Sequence, residues 1–282
     1  MSLLWINGTL ADKLDARVSP LDHGLLYGDG VWEPLRLFNG EPFAAERALR
    51  TLWESASAVG IDIPLSQAEL LAAINATATA NSRTEGYVRV VVTRGPGTIG
   101  PDPRKIEPQV VVIVEEYQPF PHELYGHGLH VAVSPVVLDL DNPAHRHRTL
   151  NQLHVVQAKQ HALRNGCLEA LLQTRDGRIA GATEGGVFAL KDGGILLAAG
   201  HGNDAAIWTA HSASHDVVFS VIEMPLTLAD LQTADEVFVA GVACGLIGVV
   251  RIDGVGVGGG TEGPITREVR EAYRRLTRGE TK

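Results

Sequence analysis

The sequence predicts an α+β protein in two domains, with mostly antiparallel strands. Three observations carry that prediction. Short β-branched runs are bounded by Asn-Gly and Asp-Gly pairs, segments of helical apolar spacing lie between them, and one Pro/Gly-rich aromatic stretch falls near the middle. The 282 residues, 45% hydrophobic and 20% charged, suffice for one large domain or two smaller ones, each with its own core.

Asn7-Gly8, between the apolar residues of LLWINGTL, predicts a two-residue hairpin, and Asn39-Gly40 in GVWEPLRLFNGEPF repeats the device. From Ala44 to Val59 the apolar spacing turns helical (Ala48, Leu49, Leu52, Ala56, Val59), and Gly60 closes the segment. Ser66 with Glu69 three residues on forms a capping box that opens a second helix. GYVRVVVTRG and QVVVIVEEY are β-branched runs of strand length. These elements define an N-terminal domain over 1–118. The stretch EEYQPFPHELYGHG supplies an interdomain linker at 119–127.

The C-terminal domain, 128–282, opens with the strand LHVAVSPVVL. A helix from Thr149 to Asn165 follows, with Gly166 at its end, and then a meander with Asp-Gly turns at 176–177 and 192–193. A helix near Asp204–Ala213, the apolar DVVFSVIEMPL, the segment TLADLQTADEVFVAG, a strand at VVRIDG and a last helix Thr266–Arg278 complete it. No helix opens inside GVGVGGGTEG, so it reads as a loop rather than a phosphate cradle.

Composition narrows the function classes. A formal charge of −9 argues against a nucleic-acid or anionic-membrane surface, since both need a basic patch. Cys167 and Cys244 sit in apolar contexts, which suits buried thiols in a reducing cytoplasm better than a disulfide. The start lacks a basic n-region, and no run approaches about 18 apolar residues, so neither a signal peptide nor a membrane span is expected. His145 and His147 form a weak pair with no partner at metal-ligand spacing, and no metal is expected.

Several stretches together resemble the class IV (fold-type IV) pyridoxal-phosphate aminotransferases, the group of branched-chain aminotransferases, D-amino-acid aminotransferases and aminodeoxychorismate lyases. SPLDHGLLYGDGVWEPLRLFNGEPF is similar to the family's first-domain segment and GYVRVVVTRGPGTIG to the strand and turn after its helices. RTLNQLHVVQAKQHALRNGCLEALLQTRDGRI is similar to its catalytic strand-helix-strand unit. LTLADLQTADEVFVAG and IDGVGVGGGTEGPITREVREAYRRL are similar to its C-terminal end. The resemblance runs in order over nearly the whole chain. It implies the two-domain fold-type IV architecture and a homodimer.

The family's chemistry is a Schiff base between a lysine amine and the cofactor aldehyde. By resemblance that lysine precedes a stretch like Thr149-Leu150-Asn151-Gln152-Leu153, and here the position is Arg148. A guanidinium stays protonated and cannot be the amine nucleophile. Other anchors are altered too: the phosphate arginine falls at Thr51, with Arg47 and Arg50 nearby, and the carboxylate for the pyridine nitrogen falls at Gly181, with Glu184 the nearest acid. The turn under the phosphate reads Gly200-His201-Gly202-Asn203, and the threonine-bearing turn reads Ala240-Gly241-Val242-Ala243. Of the five lysines (Lys13, Lys105, Lys159, Lys191, Lys282), only Lys159 is on the right helix, roughly 16 Å along the axis from Arg148. Pyridoxal-phosphate transamination is therefore expected to be absent or impaired, and no covalently bound cofactor is expected.

Arg148, Tyr87 and Arg89 are the candidates for holding a small anionic amino, keto or chorismate-like acid. Strand alternation puts Tyr87 and Arg89 on one face and Val88 and Val90 on the other. The same alternation pairs Arg146 with Arg148 and His145 with His147, with Arg148 inward. Trp32, Arg94 and Glu33 are candidates for lining the pocket, although an aromatic at the Trp32 position is more often core than ligand, and Glu33 serves as an acid or base if buried. His23, Tyr27 and Asp29 are expected to shape a turn and the subunit contact. Two alternatives stay open beside the anion-binding reading: a working family-type enzyme, and a non-catalytic binding or scaffold member.

Overall fold

The computed structural model describes residues 2–104, 106–117, 120–198, 205–217 and 219–279. In chain order the elements are β1 (Leu3–Ile6), β2 (Thr9–Asp12), α1 (His23–Tyr27), β3 (Gly30–Phe38), β4 (Glu41–Pro42), α2 (Ala45–Ala58), α3 (Gln67–Ala80), β5 (Gly86–Thr93) and β6 (Gln109–Glu115). Then come α4 (Leu124–His127), β7 (Leu129–Leu138), α5 (Pro143–Arg146), α6 (Leu153–Arg164), β8 (Glu169–Thr174), β9 (Ile179–Ala182), β10 (Gly186–Lys191) and β11 (Gly194–Ala198). The chain ends with α7 (Ala205–Asp216), β12 (Val221–Met224), α8 (Leu228–Gln232), β13 (Glu236–Gly241), β14 (Gly245–Ile252), β15 (Val255–Gly256) and α9 (Pro264–Arg278).

Two compact units result, one of Met1–Tyr117 with Pro143–Gln152, the other of Gln118–Asn142 with Leu153–Lys282. The sequence suggested a contiguous C-terminal domain over 128–282. In the structure the segment from Pro143 to Gln152 leaves that body and packs with the first unit. The 120–127 stretch, expected as linker, counts with the second unit and carries α4.

The first unit is a six-stranded antiparallel sheet, order β2-β1-β6-β5-β3-β4. Its core lies between one face of the sheet and helices α2 and α3: Val31, Leu35, Leu37, Val88, Val90, Val92, Val110 and Val112 meet Leu49, Leu52, Leu70 and Ile74. The two Asn-Gly hairpins form, with Asn7 and Asn39 both at positive φ, the geometry their turn type demands. Ser66 accepts from the Glu69 N–H and the Glu69 carboxylate accepts from the Ser66 N–H, so the capping box is complete.

A nine-stranded sheet, order β12-β11-β10-β13-β14-β7-β8-β9 with β15 on β14, forms the second unit. Most of its pairs are antiparallel, but β11–β12, β14–β7 and β7–β8 are parallel. Apolar residues fill one core from Leu129, Val131, Leu171, Val187, Val239 and Ile247, and a smaller one forms where Ala158 and Ala162 of α6 meet Ala132, Ala170 and Leu172.

Two local expectations change. Helix α6 begins at Leu153, not Thr149, because residues 148–150 pair with β3: Arg148 O accepts from the Trp32 N–H, Gly30 O accepts from the Leu150 N–H, and Val31 bridges Thr149. Residues 143–146 form the single turn α5, so the strand alternation read across His145-Arg146-His147-Arg148 does not hold. Pro143, with φ preset near the helical value, suits the first position of such a turn.

Candidate active site of the first unit

Arg148 lies opposite Trp32 in the short extension of the sheet, and its guanidinium approaches the Trp32 ring. The Trp32 indole N–H donates to Thr149 O at 3.1 Å, which fixes the ring plane. Arg89 reaches the same ring from β5, its Cζ 3.8 Å from the ring centroid, and Arg148 Cζ lies 5.1 Å from it. One indole thus gathers two guanidinium groups, an arrangement favoured by the negative ring face. Tyr87 is two residues from Arg89 on the same strand face, while Val88 and Val90 are fully buried on the other.

Glu33 points the opposite way from Trp32. It is the register partner of Val90, in the apolar phase Val31-Glu33-Leu35-Leu37, and its exposure is 0%. Arg148 Nε stands 3.5 Å from Glu33 Oε2 and supplies the charge a carboxylate buried at this depth requires.

The remaining candidates fall as follows. Arg94 makes a bidentate pair with Asp29, Nε to Oδ2 at 2.9 Å and Nη2 to Oδ1 at 3.0 Å, and also donates to the carbonyls of Val59 and Gly60. Its guanidinium ties the end of β5 to the end of α2. His23 Nε2 is 3.0 Å from Thr98 O, and the Tyr27 hydroxyl accepts from the Gly100 N–H at 2.7 Å. Thr51 is on α2, its hydroxyl donating to Arg47 O, and Arg50 is exposed. His147 is held below its ordinary pKa by burial and by Arg146, against the opposing pull of Glu54.

The second unit holds Gly181, Val242 and Lys159. Gly181 lies in β9 at φ +147°, backbone that favours glycine over any side-chain-bearing acid. Val242 is buried in the turn after β13. Residues 199–204, with Gly202, His201 and Asn203, lie outside the described residues, as do Lys105 and Lys282. Lys159 is an ammonium between two acids, 2.9 Å from Glu184 Oε1 and 3.9 Å from Glu169 Oε2. Lys191 pairs with Asp230 and Lys13 with Glu115. Neither Cys167 nor Cys244 is in a disulfide; Cys244 is buried as expected, whereas Cys167 is only half-buried.

Glu169 went unnoticed in the sequence, although a lone acid inside the apolar run CLEALL is the signal that marks it. No group of three or more His, Cys, Asp and Glu among the described residues could hold a metal ion. No helix among them is long and apolar enough to cross a membrane.

Residues 30–252 match the family model of amino-transferase class IV, and the chain belongs to that family. It is 36% identical over 279 residues, 96% of this chain and 95% of the other, to a putative branched-chain-amino-acid aminotransferase of Methanocaldococcus jannaschii. To a D-alanine aminotransferase of Bacillus licheniformis it is 29% identical over 287 residues, covering 98% and 97% of the two chains. The fold is similar to that of the branched-chain aminotransferase of Thermoproteus uzoniensis solved with norvaline, at TM-score 0.92, 26% identity, and 100% and 96% coverage. It is also similar to that of the branched-chain amino acid aminotransferase of Escherichia coli, at TM-score 0.93, 24% identity, and 100% and 96% coverage. The fold-type IV architecture is thereby shown.

Proposed function

We propose that this class IV member binds, or turns over, a small anionic amino, keto or chorismate-like acid without a covalently held pyridoxal phosphate. The observation that carries the reading is the Arg148–Glu33 ion pair beside Trp32. It puts a group that keeps its proton where the family resemblance implies an amine nucleophile. The donor set does not fit the covalently held cofactor. The matching positions carry a threonine at 51, a glycine at 181 and a valine at 242, and Lys159, Lys191 and Lys13 are each in ion pairs.

In this reading Arg148 and Arg89 provide the positive charge for a carboxylate, Trp32 orients both guanidinium groups by stacking, and Tyr87 contributes a hydroxyl on the same strand face. Glu33 holds Arg148 from beneath. A homodimer belongs to the same proposal. Leu21, Leu25, Leu26, Tyr27 and Ile99 are exposed on the first unit, Ile99 at 84% and Leu25 at 68%, and an apolar surface of that kind suits a second copy. A reducing, cytoplasmic setting suits two cysteines that form no disulfide.

A second reading, a pyridoxal-phosphate-dependent aminotransferase, is favoured by the relatives named above. Both readings meet one test: purified protein is mixed with pyridoxal phosphate, its absorbance recorded, and the sample reduced with borohydride for intact mass. No adduct is expected, and Arg148→Lys is expected to gain one if the rest of the pocket persists. A reduced adduct on a lysine of the unaltered protein would restore the aminotransferase.

A further inference from the structure

We propose that Glu169 binds a proton that decides how Lys159 is shared between two carboxylates, making the cluster a pH-sensitive latch between α6 and the end of β9. The inference is independent of the reading of Arg148. Its basis is the asymmetry of the two Glu169 oxygens. Oε1 accepts from the Ala170 N–H at 2.7 Å, from the Thr183 N–H at 2.9 Å, and from the Thr183 hydroxyl. Oε2 has no hydrogen-bond partner among the described residues, and Lys159 Nζ stands 3.9 Å from it. The side chain is fully buried, whereas Lys159 and Glu184 both reach water, with side-chain exposures of 28% and 32%.

Lys159 comes from α6, Glu184 from the segment after β9, and the Glu169 partner on β7 is the apolar Val131. Among the described residues, those two charges are the titratable groups that face Glu169. With Glu169 ionised, one ammonium serves two acids and the buried one is underserved. With a proton on Oε2, the carboxyl is neutral and Lys159 can close on Glu184 alone at 2.9 Å. Burial dominates this balance and pushes the Glu169 pKa up to about 7. The Lys159 charge and the Thr183 hydroxyl pull it down, and the Glu184 charge adds to the rise. The switch therefore falls near neutrality, where a cellular pH change alters its occupancy.

The test is a carbon-13 NMR titration of the full chain carrying carboxyl-labelled glutamate. One glutamate is expected to titrate near pH 7, and its signal is expected to vanish in Glu169→Gln. Lys159→Met should move the midpoint upward by roughly one unit, while Lys159→Arg, which keeps the cation, should move it little. If Glu169→Gln fails to fold, the unaltered chain and the Lys159 pair still decide the matter. The proposal is overturned if every glutamate titrates below about pH 5.5. It is equally overturned if the neutral titration survives Glu169→Gln or ignores Lys159→Met.

Discussion

Arg148 and Glu33 are the residues on which the functional reading turns, and each makes the other tolerable. The carboxylate has no exposure, so removing the Arg148 cation withdraws charge compensation from a buried group. Arg148→Met is expected to lower the unfolding free energy by about 3 kcal/mol in urea titrations. Glu33→Gln with Arg148→Met should recover part of that loss. A double variant as unstable as the sum of its parts would mean the pair carries no coupling.

Glu169 makes a pH prediction at the same scale. Its folded pKa, about 7, lies above the ordinary 4.5, so its contribution to stability is full below the lower value and lost as pH rises through the upper one. The urea midpoint of the unaltered protein should therefore fall between about pH 5 and about pH 8 relative to that of Glu169→Gln. A parallel pH profile for the two proteins would contradict it. Glycines divide as sharply. A Cβ at Gly185 would collide with Ala240 O, and at Gly256 would meet nothing within 4 Å. Gly185→Ala should lower stability by about 2 kcal/mol or more, and Gly256→Ala by no more than about 0.5 kcal/mol, in thermal melts.

Among elements, helix α3 shows how far local chemistry reaches. Ser66 and Glu69 exchange hydrogen bonds at its first turn, and the Ser66 backbone bond, followed by its hydroxyl bond, keeps the Glu69 carboxyl below the usual range. Ser66→Ala should cost about 1 kcal/mol of stability at neutral pH. The Glu69 contribution is present above its ordinary pKa and fades as pH falls below it, so the gap between variant and parent should narrow in acid. An unchanged gap would assign the cost to the hydroxyl alone. The hairpins, this helix and the Asp-Gly turns were legible because each depends on residues within a few positions of one another. Residues 143–152 were not. Their apolar spacing suits a helix from Thr149, but the edge of β3 offers hydrogen bonds at Gly30 and Trp32, and pairing there delays α6 to Leu153.

Taken as a whole, the molecule combines an antiparallel sheet under two helices with a mixed nine-stranded sheet, and the fold class was written in the spacing of turns and apolar runs. The proposed dimer belongs to this scale. Leu25→Glu with Ile99→Glu is expected to convert the species seen by sedimentation from two copies to one, and an unchanged mass would place the contact elsewhere. Sequence by itself determined the strand-and-helix pattern, the family resemblance and the absence of a lysine at 148, because those reside in residue identity and short-range order. Only the tertiary structure decided that Glu33 is sealed beneath Arg148, that Arg89 and Arg148 share one indole, and that Lys159 lies between two acids. The partners in those clusters come from separate elements, Trp32 from β3 and Arg148 from the segment before α6, Lys159 from α6 and Glu169 from β8. Which of their side chains meet is set by strand register and burial, which local sequence does not encode.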